Sequence, residues 1–74
     1  MNRDLYILGH RLKIARMEAR MTIRDVSRET GITEATISRL ERGLHAPALY
    51  TVTKFAKAVG ISMAELFKEI EERK

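Results

Sequence analysis

Between Gly31 and Gly43 the sequence reads GITEATISRLERG. On a helix turning about 100° per residue, Ile37 and Leu40 fall on one side with Glu41 beside them. The opposite side collects Ala35, Ser38, Arg39 and Arg42, with Glu34 and Thr36 at its flanks near the start. Such a face can do the chemistry of hydrogen bonding. The arginine fork matches a phosphate or the O6/N7 edge of guanine, and a glutamate carboxylate can accept from cytosine N4. Alanine and serine are short enough to allow close approach. The same face also suits plain solvation, and the residues alone leave both readings open.

Bond-making chemistry has no such support. His10 and His45 lie far apart, with no third ligand at metal spacing. Cysteine is absent, which excludes disulfides and cysteine metal sites and fits a reducing cytoplasm. There is no Ser-His-Asp order and no glycine-rich phosphate loop, and a chain of 74 residues is too small for a deep pocket. An enzyme is not expected, and no cofactor is implied. The net charge of +4 is unevenly placed: from Arg3 to Lys57 there are eleven Lys/Arg against six Asp/Glu, and from Gly60 onward three against four. A basic field suggests phosphate, nucleic acid or an anionic membrane as partner, or a solvated basic surface. No run approaches the roughly 18 apolar residues of a membrane span. The N-terminal stretch MNRDLYILGHRLK lacks a signal-peptide core. The expectation is a soluble, cytoplasmic protein.

Holding that face in place falls to a single domain over 1–74, which buries only about 60% of its unfolded surface. Glycines and Pro47 divide the chain into five helical patterns, and sustained period-two alternation is absent. The fold class is all-α. The first helix spans about Asp4 to Arg20, with Leu5, Leu8, Leu12, Ala15 and Ala19 on one face. The second opens at Thr22, which with Asp25 resembles a capping box, and ends at Gly31. Thr33 caps the third, over about 33–42, which closes at Gly43. The fourth runs from about Ala48 to Val59, with Leu49, Val52, Phe55, Ala56 and Val59 on one side. Ser62 with Glu65 opens the fifth, whose stripe is Met63, Leu66, Phe67 and Ile70. Only GIT separates helices two and three, which makes a helix-turn-helix over about 22–42.

The stretch MTIRDVSRETGITEATISRLERG, Met21 to Gly43, resembles the Cro and lambda-repressor type of helix-turn-helix, the XRE family. The resemblance rests on the Thr22 start, Gly31, the run TISRLERG at Thr36 to Gly43, and Pro47. It extends to LGHRLKIAR in the first helix and KFAKAVGISMAELF in the fourth and fifth. It implies a compact five-helix bundle that binds double-stranded DNA as a transcriptional regulator, often as a dimer, with helix three in the major groove. Carried over by position, the base-edge candidates are Glu34, Ala35, Thr36, Ser38 and Arg39. Phosphate candidates are Thr22, Thr33, Arg42, His45 and Tyr50. Arg24 and Arg28, four apart on helix two, contact phosphate or are simply solvated. Arg16 and Glu41 match the family's interior ion pair, and the inward position of Glu41 follows independently from periodicity.

The sequence also departs from the family. Ile23 stands where a phosphate-binding Gln is usual, so that contact is lost unless Arg24 replaces it. Thr30 replaces a Leu before the turn glycine, Leu44 and His45 replace polar or basic loop residues, and Ala48 replaces a capping Ser. Glu34 can read a base or merely favour the helix dipole. Met63, Phe67 and Ile70 make a stripe that outlasts the small core, which suggests a two-fold contact through helix five. The alternative is an antitoxin-like or other protein-interaction module that uses the same fold. Tyr6, Ile7, Ile14, Met17 and Leu44 cannot all be interior either.

Overall fold

The structure is a computed structural model and describes residues 3–72. Five helices follow in order: α1 Arg3–Glu18, α2 Ile23–Thr30, α3 Glu34–Glu41, α4 Leu49–Val59 and α5 Met63–Glu72. Among the described residues there is no strand, and no helix is long and apolar enough to cross a membrane. The first helix is the strut of the bundle, since it packs against α3, α4 and α5. The second helix packs against α3 and α4. Phe55, Leu12, Ile37, Leu40, Leu66 and Val26 are fully buried, so every helix sends at least one side chain to the centre. Each such side chain stabilises the fold by about 1.5–3 kcal/mol relative to exposure.

Because α1 is covered from several directions, its buried arc is wider than one stripe. Ile7, Leu8, Leu12 and Ala15 are interior, whereas Leu5 is only half-buried and Ala19 is exposed. The helix also ends two residues earlier than periodicity suggests. Arg20 turns into the left-handed region, φ 59°. The Met21 N–H donates to Arg16 O (3.1 Å) and the Arg20 N–H to Met17 O (3.0 Å), a Schellman closure built without glycine. A non-glycine residue in this region costs roughly 1–2 kcal/mol, and the extra unfolded-state entropy of glycine offsets part of that. Arg20→Gly is therefore expected to stabilise the protein by about 0.5–1 kcal/mol. Thermal melts should show a rise of several degrees. A midpoint that stays put or falls would show that the Arg20 side chain contributes more than its backbone costs.

Helix α5 corrects one expectation. Leu66 and Ile70 both face the core, Met63 packs partly against it, and Phe67 remains 48% exposed. On a helix Phe67 lies about 100° from Leu66, so docking α5 on α1 turns it outward while Ile70 goes in. Ile70 is thus spent within its own bundle, and of the large members of that stripe only Phe67 is left open. Arg11 of α1 pairs with Glu69 of α5 and lies 3.8 Å from Glu18, pinning the two helices from the side. Leu49 also departs from its expected place: it is 66% exposed, because it sits in the first turn of α4 just after the extended Ala48, which makes no side-chain cap.

Candidate nucleic-acid interface

The local chemistry of α2 and α3 decides what their surfaces present. Thr22 starts α2 through a complete capping box: its hydroxyl accepts from the Asp25 N–H (3.0 Å) and its own N–H donates to Asp25 Oδ2 (2.8 Å). That backbone hydrogen bond, with the Thr22 hydroxyl, holds the Asp25 carboxyl below the usual aspartate range. The sign follows: a depressed folded value stabilises the protein above the unfolded aspartate pKa, and this is lost as pH falls through the lower folded value. NMR titration should place the Asp25 midpoint below that of free aspartate, and Thr22→Ala, which removes the hydroxyl but keeps the backbone N–H, should move it only part of the way back up. A wild-type Asp25 midpoint no lower than that of free aspartate would reject the cap as its cause.

Three residues then turn the chain from α2 to α3. Gly31 takes φ 80°, a left-handed conformation that glycine adopts without a Cβ penalty, and its N–H donates to Ser27 O at 2.8 Å. Thr30 is buried, which a leucine would manage by apolarity alone. Its hydroxyl solves the problem differently, donating to Val26 O (2.7 Å) and accepting from the Ile32 N–H (3.1 Å). One side chain thereby ties the end of α2 to the turn. Ile32 packs partly against the core. Thr33 caps α3 by accepting from the Thr36 N–H (3.1 Å), and its hydroxyl donates to Thr36 Oγ1 (2.8 Å). The Thr36 hydroxyl keeps its own proton to donate elsewhere.

Helix α3 is sharply two-sided. Ile37, Leu40 and Glu41 are buried, while Glu34, Ala35 and Arg39 are exposed and Thr36 and Ser38 half-buried. Against α1 the contact is almost backbone on backbone. A Cβ on Gly9 would lie 2.1 Å from Leu40 O and 2.9 Å from Glu41 O, and one on Gly43 would lie 2.8 Å from Tyr6 Cα. Beside that contact Arg16 reaches the buried Glu41: Nε donates to Oε2 at 2.7 Å and Nη2 to Oε1 at 3.1 Å, and Nη1 donates to Met21 O at 2.8 Å. The inner edge of α3 is thus held by α1 through both glycines and a forked ion pair, which leaves its outer face open.

Around that face the other candidates are spread over neighbouring elements. Thr22, Arg24, Arg28, Thr33 and Arg42 are exposed, and His45 is half-buried in the loop after α3. A shallow groove between the starts of α2 and α3 is lined by Thr22, Ile23, Arg24 and Glu34. Across it Arg24 Nε lies 3.8 Å from Glu34 Oε2. Tyr50 is 73% exposed on α4, and the Lys54 amine sits 5.1 Å from the centre of its ring. Lys54 is a cation that periodicity treats as ordinary surface; the i, i+4 spacing from Tyr50 is the signal that pairs the two. Gly9 is the other residue that sequence reasoning passes over, since an isolated glycine in a helix reads only as weak propensity. His10 is stacked against Tyr6, ring centres 6.2 Å apart and planes at 6°.

A family model described as helix-turn-helix matches residues 12–66. The HTH-type transcriptional regulator PuuR of Escherichia coli is 33% identical over 64 residues, which cover 86% of this chain and 35% of that protein. The chain therefore spans about a third of the length of that relative. The HTH-type transcriptional regulator y4dJ of Sinorhizobium fredii is 30% identical over 66 residues, covering 89% of this chain and 86% of that protein. Among solved structures, the restriction-modification controller protein C.Esp1396I, a tetramer in complex with its natural 35 base-pair operator, superposes with a TM-score of 0.86. Its sequence identity is 19%, and the match covers 97% of this chain and 95% of that one. The five helices, the short turn at Gly31 and the matched segment agree: the chain belongs to the helix-turn-helix family of the Cro and lambda-repressor (XRE) type.

Proposed function

We propose that this chain is a sequence-specific double-stranded DNA-binding transcriptional regulator that lays α3 in a major groove. The observation that carries the reading is the division of α3. Its inner side is fixed to α1 by Gly9, Arg16, Ile37 and Leu40, and its outer side offers Glu34, Ala35, Thr36, Ser38 and Arg39 with no large apolar group. Phosphate contacts come from Thr22, Arg24, Arg28, Thr33, Arg42, His45 and the Tyr50–Lys54 pair. They set affinity and register, and the α3 side chains set sequence preference. The protein acts by binding and carries out no reaction, and it works in the cytoplasm. Regulators named among its relatives and a neighbour solved on its operator support this reading. It binds as a homodimer with Phe67 of α5 in the contact, on half-sites roughly 34 Å apart.

The test is selection from a random duplex pool, followed by a salt titration of the winner. A two-fold related site should emerge, bound at least about a thousandfold more tightly than random DNA at physiological salt. Arg39→Ala is expected to relax one base position in each half-site, with a loss of about 1–3 kcal/mol there and little change in the salt slope. If no site emerges and every duplex binds weakly, α3 is not a reader. Exposed Leu44 and Leu49 then favour a protein-interaction module.

A further inference from the structure

We infer that Thr30, which touches no DNA, is a positioning residue for sequence discrimination: its hydroxyl closes the turn that aims the leading end of α3. The inference deepens the DNA-binding reading and rests on it. Among the described residues, Arg20, Gly31, Gly43 and Gly60 carry left-handed backbone at the ends of α1, α2, α3 and α4. At three of these ends the next N–H returns to a carbonyl of the helix just finished. Met21 donates to Arg16 O (3.1 Å), Leu44 to Arg39 O (2.9 Å) and Ile61 to Ala56 O (3.0 Å). Such closure is main chain on main chain, and no substitution removes it directly. The end of α2 is closed differently. The Gly31 N–H goes to Ser27 O, and the following N–H, that of Ile32, goes to Thr30 Oγ1 at 3.1 Å.

The proton of that hydroxyl is already committed. It is donated to Val26 O at 2.7 Å, and a carbonyl can only accept. The oxygen therefore faces Ile32 as an acceptor. Thr30 is only 8% exposed, so water is a poor substitute for it. Ile32 is the middle residue of the turn, and Thr33 after it caps α3. The far end of α3 is held by α1, through Gly9 against Leu40 and Glu41 and through Arg16 on Glu41. The leading end, with Glu34, Ala35 and Thr36, takes its direction from the turn. Hydrogen bonds to base edges weaken steeply when distance or angle drifts. Charge contacts with phosphate tolerate such drift and supply most non-specific binding. A looser turn thus lowers discrimination more than it lowers general affinity for DNA. The opposing explanation makes Thr30 a buried side chain that only stabilises the bundle. In that case its loss leaves the preference for the selected site unchanged.

The experiment compares the wild-type chain with Thr30→Val, Thr30→Ser and Val59→Ala. Valine keeps the shape and burial of threonine without its hydroxyl. Val59→Ala opens the core at the far end of α4, and so lowers stability away from the turn. Two quantities are read under conditions where all four proteins are folded: amide hydrogen exchange of the free protein, and affinity for the selected site and for a random duplex across salt. Thr30→Val should speed exchange at Ile32 by about two- to tenfold, the range one neutral hydrogen bond commands, relative to the Met21 and Ile61 amides. The preference for the selected site over random DNA should fall by a similar factor, with the salt slope unchanged. Thr30→Ser should restore both quantities, and Val59→Ala should alter neither the preference nor the relative exchange at Ile32. Unchanged exchange at Ile32 in Thr30→Val overturns the closure. Equal weakening on selected and random duplexes, or a Thr30→Ser protein that behaves like Thr30→Val, overturns the positioning role and leaves the DNA-binding reading standing. If the wild type selects no site, that reading falls and the inference falls with it.

Discussion

Gly9→Ala is expected to destabilise the protein by about 3 kcal/mol or more, although alanine is the better helix former. Two effects oppose each other here. Replacing glycine inside a helix gains about 1 kcal/mol of propensity. Against that, the new methyl would lie 2.1 Å from the Leu40 carbonyl oxygen and 2.9 Å from that of Glu41. Those atoms belong to the backbone of α3, so no side chain can rotate away. Either α1 and α3 separate or the helix end unwinds, and overpacking of this kind costs typically about 1–3 kcal/mol and more in severe cases. A natural domain has roughly 0.05–0.15 kcal/mol of stability per residue, so a chain of this length can lose a large part of its reserve. Urea denaturation should show the loss, and whatever fraction stays folded should bind DNA more weakly because α3 is displaced. A Gly9→Ala protein that melts higher than wild type would mean the helices do not approach as closely as described.

The second large effect concerns the ion pair behind α3. The side chains of Arg16 and Glu41 are only 11% and 4% exposed, and their fork is completed by the Met21 carbonyl. Removing either member leaves a charge with little access to water. Glu41→Leu or Arg16→Met alone should therefore cost about 3–5 kcal/mol. The double variant should cost clearly less than the two singles together, because neither charge remains to be solvated and apolar replacements can fill the space. Denaturant midpoints of the four proteins close the cycle. Singles that lose under about 1 kcal/mol each would place the pair in water, as for an ordinary surface bridge. Strictly additive losses would deny any coupling between the two side chains.

Much of the architecture was readable along the chain because its signals are local. The Thr22–Asp25 box, the glycine at the turn and the two faces of α3 each depend on residues within one or two turns of each other. The inward position of Glu41 could be read in the same way, since periodicity needs no knowledge of the partner. The readings that failed depended on which neighbour arrives. Ile70 and Phe67 share a stripe on paper, and only the docking of α5 on α1 sends one in and leaves the other out. Gly9 carries no local signal of its close contact, because the atoms it makes room for lie two helices further along the chain. Arg24 and Glu34 sit on separate helices, and no periodicity links them.

The position of α1 as strut has a consequence for how the molecule is made. Its interior side chains, Ile7, Leu8, Leu12 and Ala15, meet partners from α3, α4 and α5, all of which follow it along the chain. A ribosome adds roughly 5–20 residues per second, so the apolar side of α1 emerges seconds before the last element that covers it. Arg11 illustrates the delay, as its partner Glu69 is translated 58 positions later. Each nascent copy thus passes through an interval in which the apolar side of its strut helix lies open to chaperones and proteases until α5 closes on it.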